Sequence, residues 1–140
     1  MTPMSPNLPA APILYLQADE FTTPPAWVAS FEKVVQISAN LASKQELAAC
    51  LAVRLEFPSQ VGKHWDALSV CLRDLSWLPE RSIFLFHEDL PLAKQPAEAC
   101  EYLRILTDAQ QSWKTRLEHS LTLGFPSAVR TRVAQLLGNL

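Results

Sequence analysis

The stretch Ser82-Ile-Phe-Leu-Phe-His87 constrains this chain most, because it is apolar without alternation. A strand with one wet face alternates polar with apolar side chains, so this run reads as a central strand buried on both faces. Such a strand needs partners on its edges and layers above and below, and the flanking sequence supplies them. Val34-Val-Gln-Ile-Ser38 is a short β-branched run. Ser43-Lys-Gln-Glu46 is a capping pattern that predicts a helix from Lys44, with Leu47, Cys50, Leu51 and Leu55 on one face and Phe57-Pro58 as its end. A second helix is predicted over His64 to Leu75, with Trp65, Leu68, Cys71, Leu72 and Leu75 inward. A third runs from Pro96 to about Leu117, with Ala99, Leu103, Leu106 and Trp113 inward and Asp108 outward. Leu117, His119, Leu121, Leu123 and Phe125 alternate, the mark of a strand with one wet face. Pro126 to Leu137 closes the chain as an amphipathic helix stopped by Gly138. Strands joined by helical crossovers imply an α/β fold with a small, mostly parallel sheet of three strands packed with helices.

Six of the 11 prolines fall within the first 25 residues, which predicts a loose proline-rich tail over 1–25 and a single domain over 26–140. Ile13 to Leu16 reads as a short strand and Pro25 to Phe31 as one or two helical turns. At 49% hydrophobic and 19% charged, the 140 residues describe one packed domain rather than a disordered chain. A net charge of −2 is too little positive charge for nucleic-acid binding by phosphate neutralisation. No apolar run approaches the roughly 18 residues a membrane helix needs. Three well-separated cysteines with no C-x-x-C pair read as reduced, buried thiols. With no basic residue ahead of the apolar stretch at 12–16, they point to the cytoplasm.

No nucleotide loop, dinucleotide fingerprint, H-E-x-x-H or nucleophile elbow is present. His64, His87 and His119 belong to separate elements, and Cys71 and Cys100 lie on apolar faces where a thiolate is disfavoured. No catalytic residue, metal site or cofactor is expected, and the chain reads as a binding protein rather than an enzyme. Trp65 and Trp113 fall on inward stripes, whereas Trp77, ahead of the central strand, can close the core or stand at a surface.

The segment Leu55-Glu-Phe-Pro-Ser-Gln-Val-Gly-Lys-His-Trp-Asp-Ala-Leu-Ser-Val-Cys-Leu72, followed by Asp74-Leu-Ser-Trp-Leu-Pro79, resembles the central motif of the barstar family. Members of that family are small intracellular protein inhibitors of secreted ribonucleases such as barnase. Their helix N-(L/W)-D-A-L-x-D-C-L carries the inhibitory face, and His64-Trp-Asp-Ala-Leu-Ser-Val-Cys-Leu72 keeps its D-A-L core and C-L end. The resemblance covers about 90 residues, from Val34 to Phe125, and leaves the N-terminal segment and the last helix as additions.

The resemblance implies a ribonuclease or other toxin as partner, blocked sterically by the helix at 64–75 and the loop before it. By motif, Asp66 matches the first helical carboxylate, Gly62 the loop glycine, Trp77 approximates a tryptophan after the helix, and Asp108 matches an acid on the long helix. The family's second helical aspartate falls on Val70, the aromatic before it on Ser69, and the loop tyrosines on Gln60 and Val61. Asp66, Val70 and Arg73 share a helical stripe, close to Lys63, so a face that is acidic in the family is nearly neutral here. Poor inhibition of barnase-type enzymes and an altered target are therefore expected. The alternative is a non-inhibitory interaction module that self-associates through the last helix.

Overall fold

The computed structural model describes residues 13–17, 19–20, 23, 25–58, 65–116 and 118–138, with Asp66 described by its backbone alone. Four strands form one parallel sheet: β1 (Ile13–Leu16), β2 (Lys33–Ile37), β3 (Ser82–His87) and β4 (Ser120–Pro126), in the order β1-β4-β3-β2. In register, Ile83 lies opposite Lys33 on one side and Leu121 on the other, while Ile13 lies opposite Leu123. β3 is therefore interior, and every one of its residues after Ser82 is buried. The sheet has four strands rather than three, because Ile13–Leu16, inside the 1–25 stretch set apart as a tail, pairs along the free edge of β4.

Four helices follow the predicted order: α1 (Lys44–Arg54), α2 (Trp65–Asp74), α3 (Pro96–Arg116) and α4 (Arg130–Leu137). All four pack on one face of the sheet, where Val35, Ile37, Ile83, Leu85, Leu121, Leu123 and Phe125 meet Leu51, Leu72, Leu103 and Val133. The start of α1 is set by local chemistry. The Ser43 hydroxyl accepts from Glu46 N–H at 3.1 Å, and the Glu46 carboxylate accepts from Ala42 N–H at 2.9 Å, one residue further back than the usual box. Replacing Ser43 with alanine is expected to cost about 1 kcal/mol, read as a lower urea midpoint at unchanged m-value. The helix ends before Phe57-Pro58: Glu56 turns left-handed at φ 58°, and Phe57 N–H reaches back to Ala52 O at 2.9 Å, satisfying a carbonyl that the last turn leaves open.

Side-chain tethers show that α1, α2 and α3 run the same way. At their amino ends, Lys44 of α1 and Glu101 of α3 both touch Trp65, the first residue of α2. At the other end, the Trp77 indole donates to Leu55 O at 2.9 Å, the Trp113 indole to Leu72 O at 2.8 Å, and the Arg116 guanidinium to Arg73 O. The connection between Leu55 and Trp65 thus joins opposite ends of the helical layer, which accounts for its length between two helices that touch.

None of α1 to α4 packs on the other face of the sheet. The chain leaves β1 at one edge and enters β2 at the other, and between them a short 3-10 helix, Ala26–Ser30, crosses that face. Phe31 stacks on Phe84 at 5.0 Å, and Trp27 meets Phe84 edge-on at 5.6 Å, so both rings are turned toward the sheet. This cover corrects the expectation of a wet face on the last strand: of the residues of β4, only Ser120 is exposed. β1 covers its edge, and the phenyl rings of Phe84 and Phe86 lie over Gly124.

Candidate protein-binding face

The outer side of α2 is the surface that the sequence motif singles out. Its inner side is fully used: Leu68, Cys71, Leu72 and Leu75 are each at most 3% exposed. Burial, with the carboxylate of Asp74 as a lesser cause, holds the Cys71 thiol above its ordinary pKa, which suits a packing role rather than a reactive one. On the outer side, Val70 stands 61% exposed, Ser69 is half-buried, and Arg73 and Asp74 are exposed. The Arg73 guanidinium folds back along its own helix and donates from Nε to Ser69 O at 3.2 Å. An apolar side chain therefore stands in the middle of this face, flanked by a cation tied to the backbone.

The other predicted contact residues are distributed as follows. Gln60, Val61, Gly62 and Lys63 lie outside the described residues, and Asp66 is placed on α2 with its side chain outside them. Trp77 is half-buried, with its indole N–H committed to Leu55 O and its ring edge-on to Phe57 at 5.8 Å. Asp108 is exposed on α3, seven residues beyond Glu101 and so on the same side of that helix.

Glu101 holds the head of α2 in place. Its carboxylate accepts from the Trp65 indole at 3.1 Å and pairs with Lys44 at 3.3 Å, while the Lys44 ammonium lies 5.1 Å from the Trp65 ring centre. The Trp65 hydrogen bond, followed by Lys44, keeps the Glu101 carboxyl below its ordinary pKa. Helical periodicity places Glu101 on the outward side of α3, and nothing in its own segment announces Trp65 as a partner. Glu88 and Asp89 are also committed: Glu88 accepts from Ala39 N–H at 3.1 Å and the Gln36 amide at 2.6 Å, and Asp89 accepts from Asn40 N–H at 2.9 Å. These carboxylates fasten the turn after β2.

The two described histidines stand apart. His87, at the carboxyl end of β3, is fully buried between Gly124 O at 2.9 Å and the Tyr102 hydroxyl at 2.7 Å, and it stacks on Phe125 at 4.3 Å. His119 precedes the amino end of β4 and bonds Glu80 O. Among the described residues no group of three or more His, Cys, Asp or Glu is placed to hold a metal ion, and no helix is long and apolar enough to cross a membrane.

A parallel sheet layered on one side by three co-directed helices, the middle one with an exposed outer face, defines a small α/β domain. The chain belongs to the barstar family: the family described as "Barstar (barnase inhibitor)" matches residues 32–125, about two-thirds of the sequence. No curated protein and no solved structure matches it. The match opens with β2 and closes within β4, so β1, the 3-10 crossing and α4 lie outside it. These outside parts hold one another: the Ser127 hydroxyl donates to the Gln17 side chain at 3.2 Å, and the Arg130 guanidinium lies 5.1 Å from the Tyr15 ring.

Proposed function

We propose that this protein is an inhibitor or immunity protein that binds a ribonuclease or other toxin through the outer face of α2 and the connection preceding it. Its family is one of ribonuclease inhibitors, and the supporting observation is the exposed α2 face, held between α1 and α3 by the Lys44–Trp65–Glu101 cluster. Inhibition of this kind is steric: a rigid helix held over a cleft excludes substrate, and it needs no chemistry from the inhibitor. Val70 in the centre of the face, with Arg73 beside it, directs the protein toward a target whose matching surface is less cationic than a phosphate-binding cleft, since a helix without paired carboxylates gives such a cleft little complementary charge. Self-association through α4 draws no support from its surface, where Val133 and Leu136 are buried and Arg130, Thr131, Arg132 and Gln135 face outward.

The test is inhibition of RNA cleavage or toxicity by the protein's own target, with Val70→Lys compared against Val53→Lys, an exposed position on α1. Val70→Lys is expected to weaken inhibition about 30-fold or more, as loss of a central contact does, while Val53→Lys leaves it unchanged. Equal inhibition by both variants would remove α2 from the interface. A barnase-type enzyme should be inhibited poorly, and Val70→Asp should improve that inhibition in a salt-sensitive manner.

A further inference from the structure

We infer that the outer edge of β2 is a self-pairing surface, on which a second copy of this chain lays its own β2 antiparallel across a two-fold axis. β2 ends the sheet, with β3 on one side and no strand on the other among the described residues. Its register with β3 is unbroken from Lys33 to Ile37, and Ile37 O accepts from Glu88 N–H at 2.9 Å. Successive residues of a parallel strand bond to opposite sides, so Lys33, Val35 and Ile37 serve β3 while the N–H and C=O of Val34 and Gln36 point outward. No described residue bonds those outward groups. Natural edges are blunted by proline, a bulge or an outward charge. β2 has no proline and no bulge, and its one charge, Lys33, is turned onto the helical face, where the ammonium pairs with Glu56 at 3.1 Å.

The edge matches itself. With Val35 on the axis, Val34 faces Gln36 of the second copy and Gln36 faces its Val34. These are the outward-pointing residues, so each facing pair exchanges both its N–H···O bonds, as a closed two-fold contact requires. Lys33 then meets Ile37 and Glu32 meets Ser38, so no like charges face each other, whereas a strongly charged strand would find no counter-charge along 34–36. Apolar surface lies beside the edge. On the face away from the helices Val34 stands 48% exposed, and Trp27, which meets Phe84 of the next strand, 39%. A cavity of about 70 Å³ there is lined by Val34, Gln36, Glu20 and four apolar side chains, and the pairing sets Val34 of the second copy beside it, opposite Gln36. Five edge residues per copy fall short of the roughly 1,200 Å² of a standard interface, so the dimer is weak and reversible, dissociating at about 100 µM.

The test is sedimentation equilibrium of the full-length protein from about 10 µM to about 1 mM, with amide exchange followed by NMR on the same samples. The mean mass is expected to climb toward that of two chains. Over the same range the Val34 and Gln36 amides should slow about fivefold, while those of Val35 and Ile37, bonded to β3, are protected throughout. Val34→Lys sets two added ammonium groups across the axis and should weaken association about tenfold or more. Gln36→Pro removes an outward N–H and no bond to β3, and should abolish dimerisation, whereas Gln36→Ala keeps that N–H and should preserve it. A monomer at every concentration would overturn the assignment. So would a dimer that survives both Val34→Lys and Gln36→Pro, or one in which the Val34 and Gln36 amides exchange no more slowly. No ribonuclease enters the measurement, so it stands or falls separately from the inhibitor reading.

Discussion

Between pH 6.5 and about 4, the folding stability of this protein is expected to fall by about 3 kcal/mol through His87 alone. Burial depresses the His87 pKa from 6.5 to about 4, only partly opposed by the hydrogen bond to Gly124 O. A carbonyl oxygen accepts only, so Nδ1 carries the proton and donates to it; Nε2 then accepts from the Tyr102 hydroxyl, and the neutral ring is fully satisfied. In the unfolded chain the same ring gains a proton once the pH drops below about 6.5, whereas the folded protein refuses it until about pH 4. In that window the unfolded state binds more protons, and stability is lost as the pH falls, with no further loss from this group below about 4. Glu101, whose folded pKa is depressed below 4.5, adds a loss of the same sign only at more acidic pH. Urea titrations at pH 7 and pH 5 measure the slope, and the His87→Gln variant should flatten it. The ring's NMR titration provides an independent check: a midpoint near 6.5 in the folded protein would refute the burial argument.

The second large effect is expected at Gly124. A Cβ there would lie 2.6 Å from Cζ and 2.7 Å from Cε1 of Phe84, and 3.0 Å from Cδ1 of Phe86. Flexible side chains could yield, but Phe84 is stacked under Phe31 and edge-on to Trp27, so moving it disturbs the whole second core. Gly124→Val should therefore destabilise the fold by about 3 kcal/mol, the upper end of the usual cost of overpacking. Gly124→Ala should cost less, and adding Phe84→Leu to it should recover part of the loss. That coupling is the sign that the two positions contest one volume. Additive effects of the two substitutions would show that the glycine is retained for another reason.

The architecture was legible wherever a local rule operates. The unalternating run at 82–87 became the interior strand, the Ser43 cap started α1, and the inward stripes of α2 and α3 were buried as their spacing required. The candidate face was legible as a motif: the D-A-L and C-L positions place Val70 on the outer side of α2 before any coordinates are known. Two misreadings share one cause. Alternation in β4 suggested water on one side, and the proline-rich opening set the short strand at 13–16 apart from the domain, because neither reading could see that β1 and the 3-10 crossing lie against that strand and that face.

By itself the amino-acid order determined element types, their sequence and the identity of the α2 face, since helical and strand periodicities and caps are properties of neighbours a few residues apart. Only the tertiary structure decided what joins distant segments. It set Glu101 against Trp65 and Lys44, His87 between Gly124 and Tyr102, and Gly124 under two phenyl rings. The physical reason is that a hydrogen bond or van der Waals contact acts over a few ångströms of space, and separation along the chain carries no record of which groups the packed sheet and helices bring within that reach.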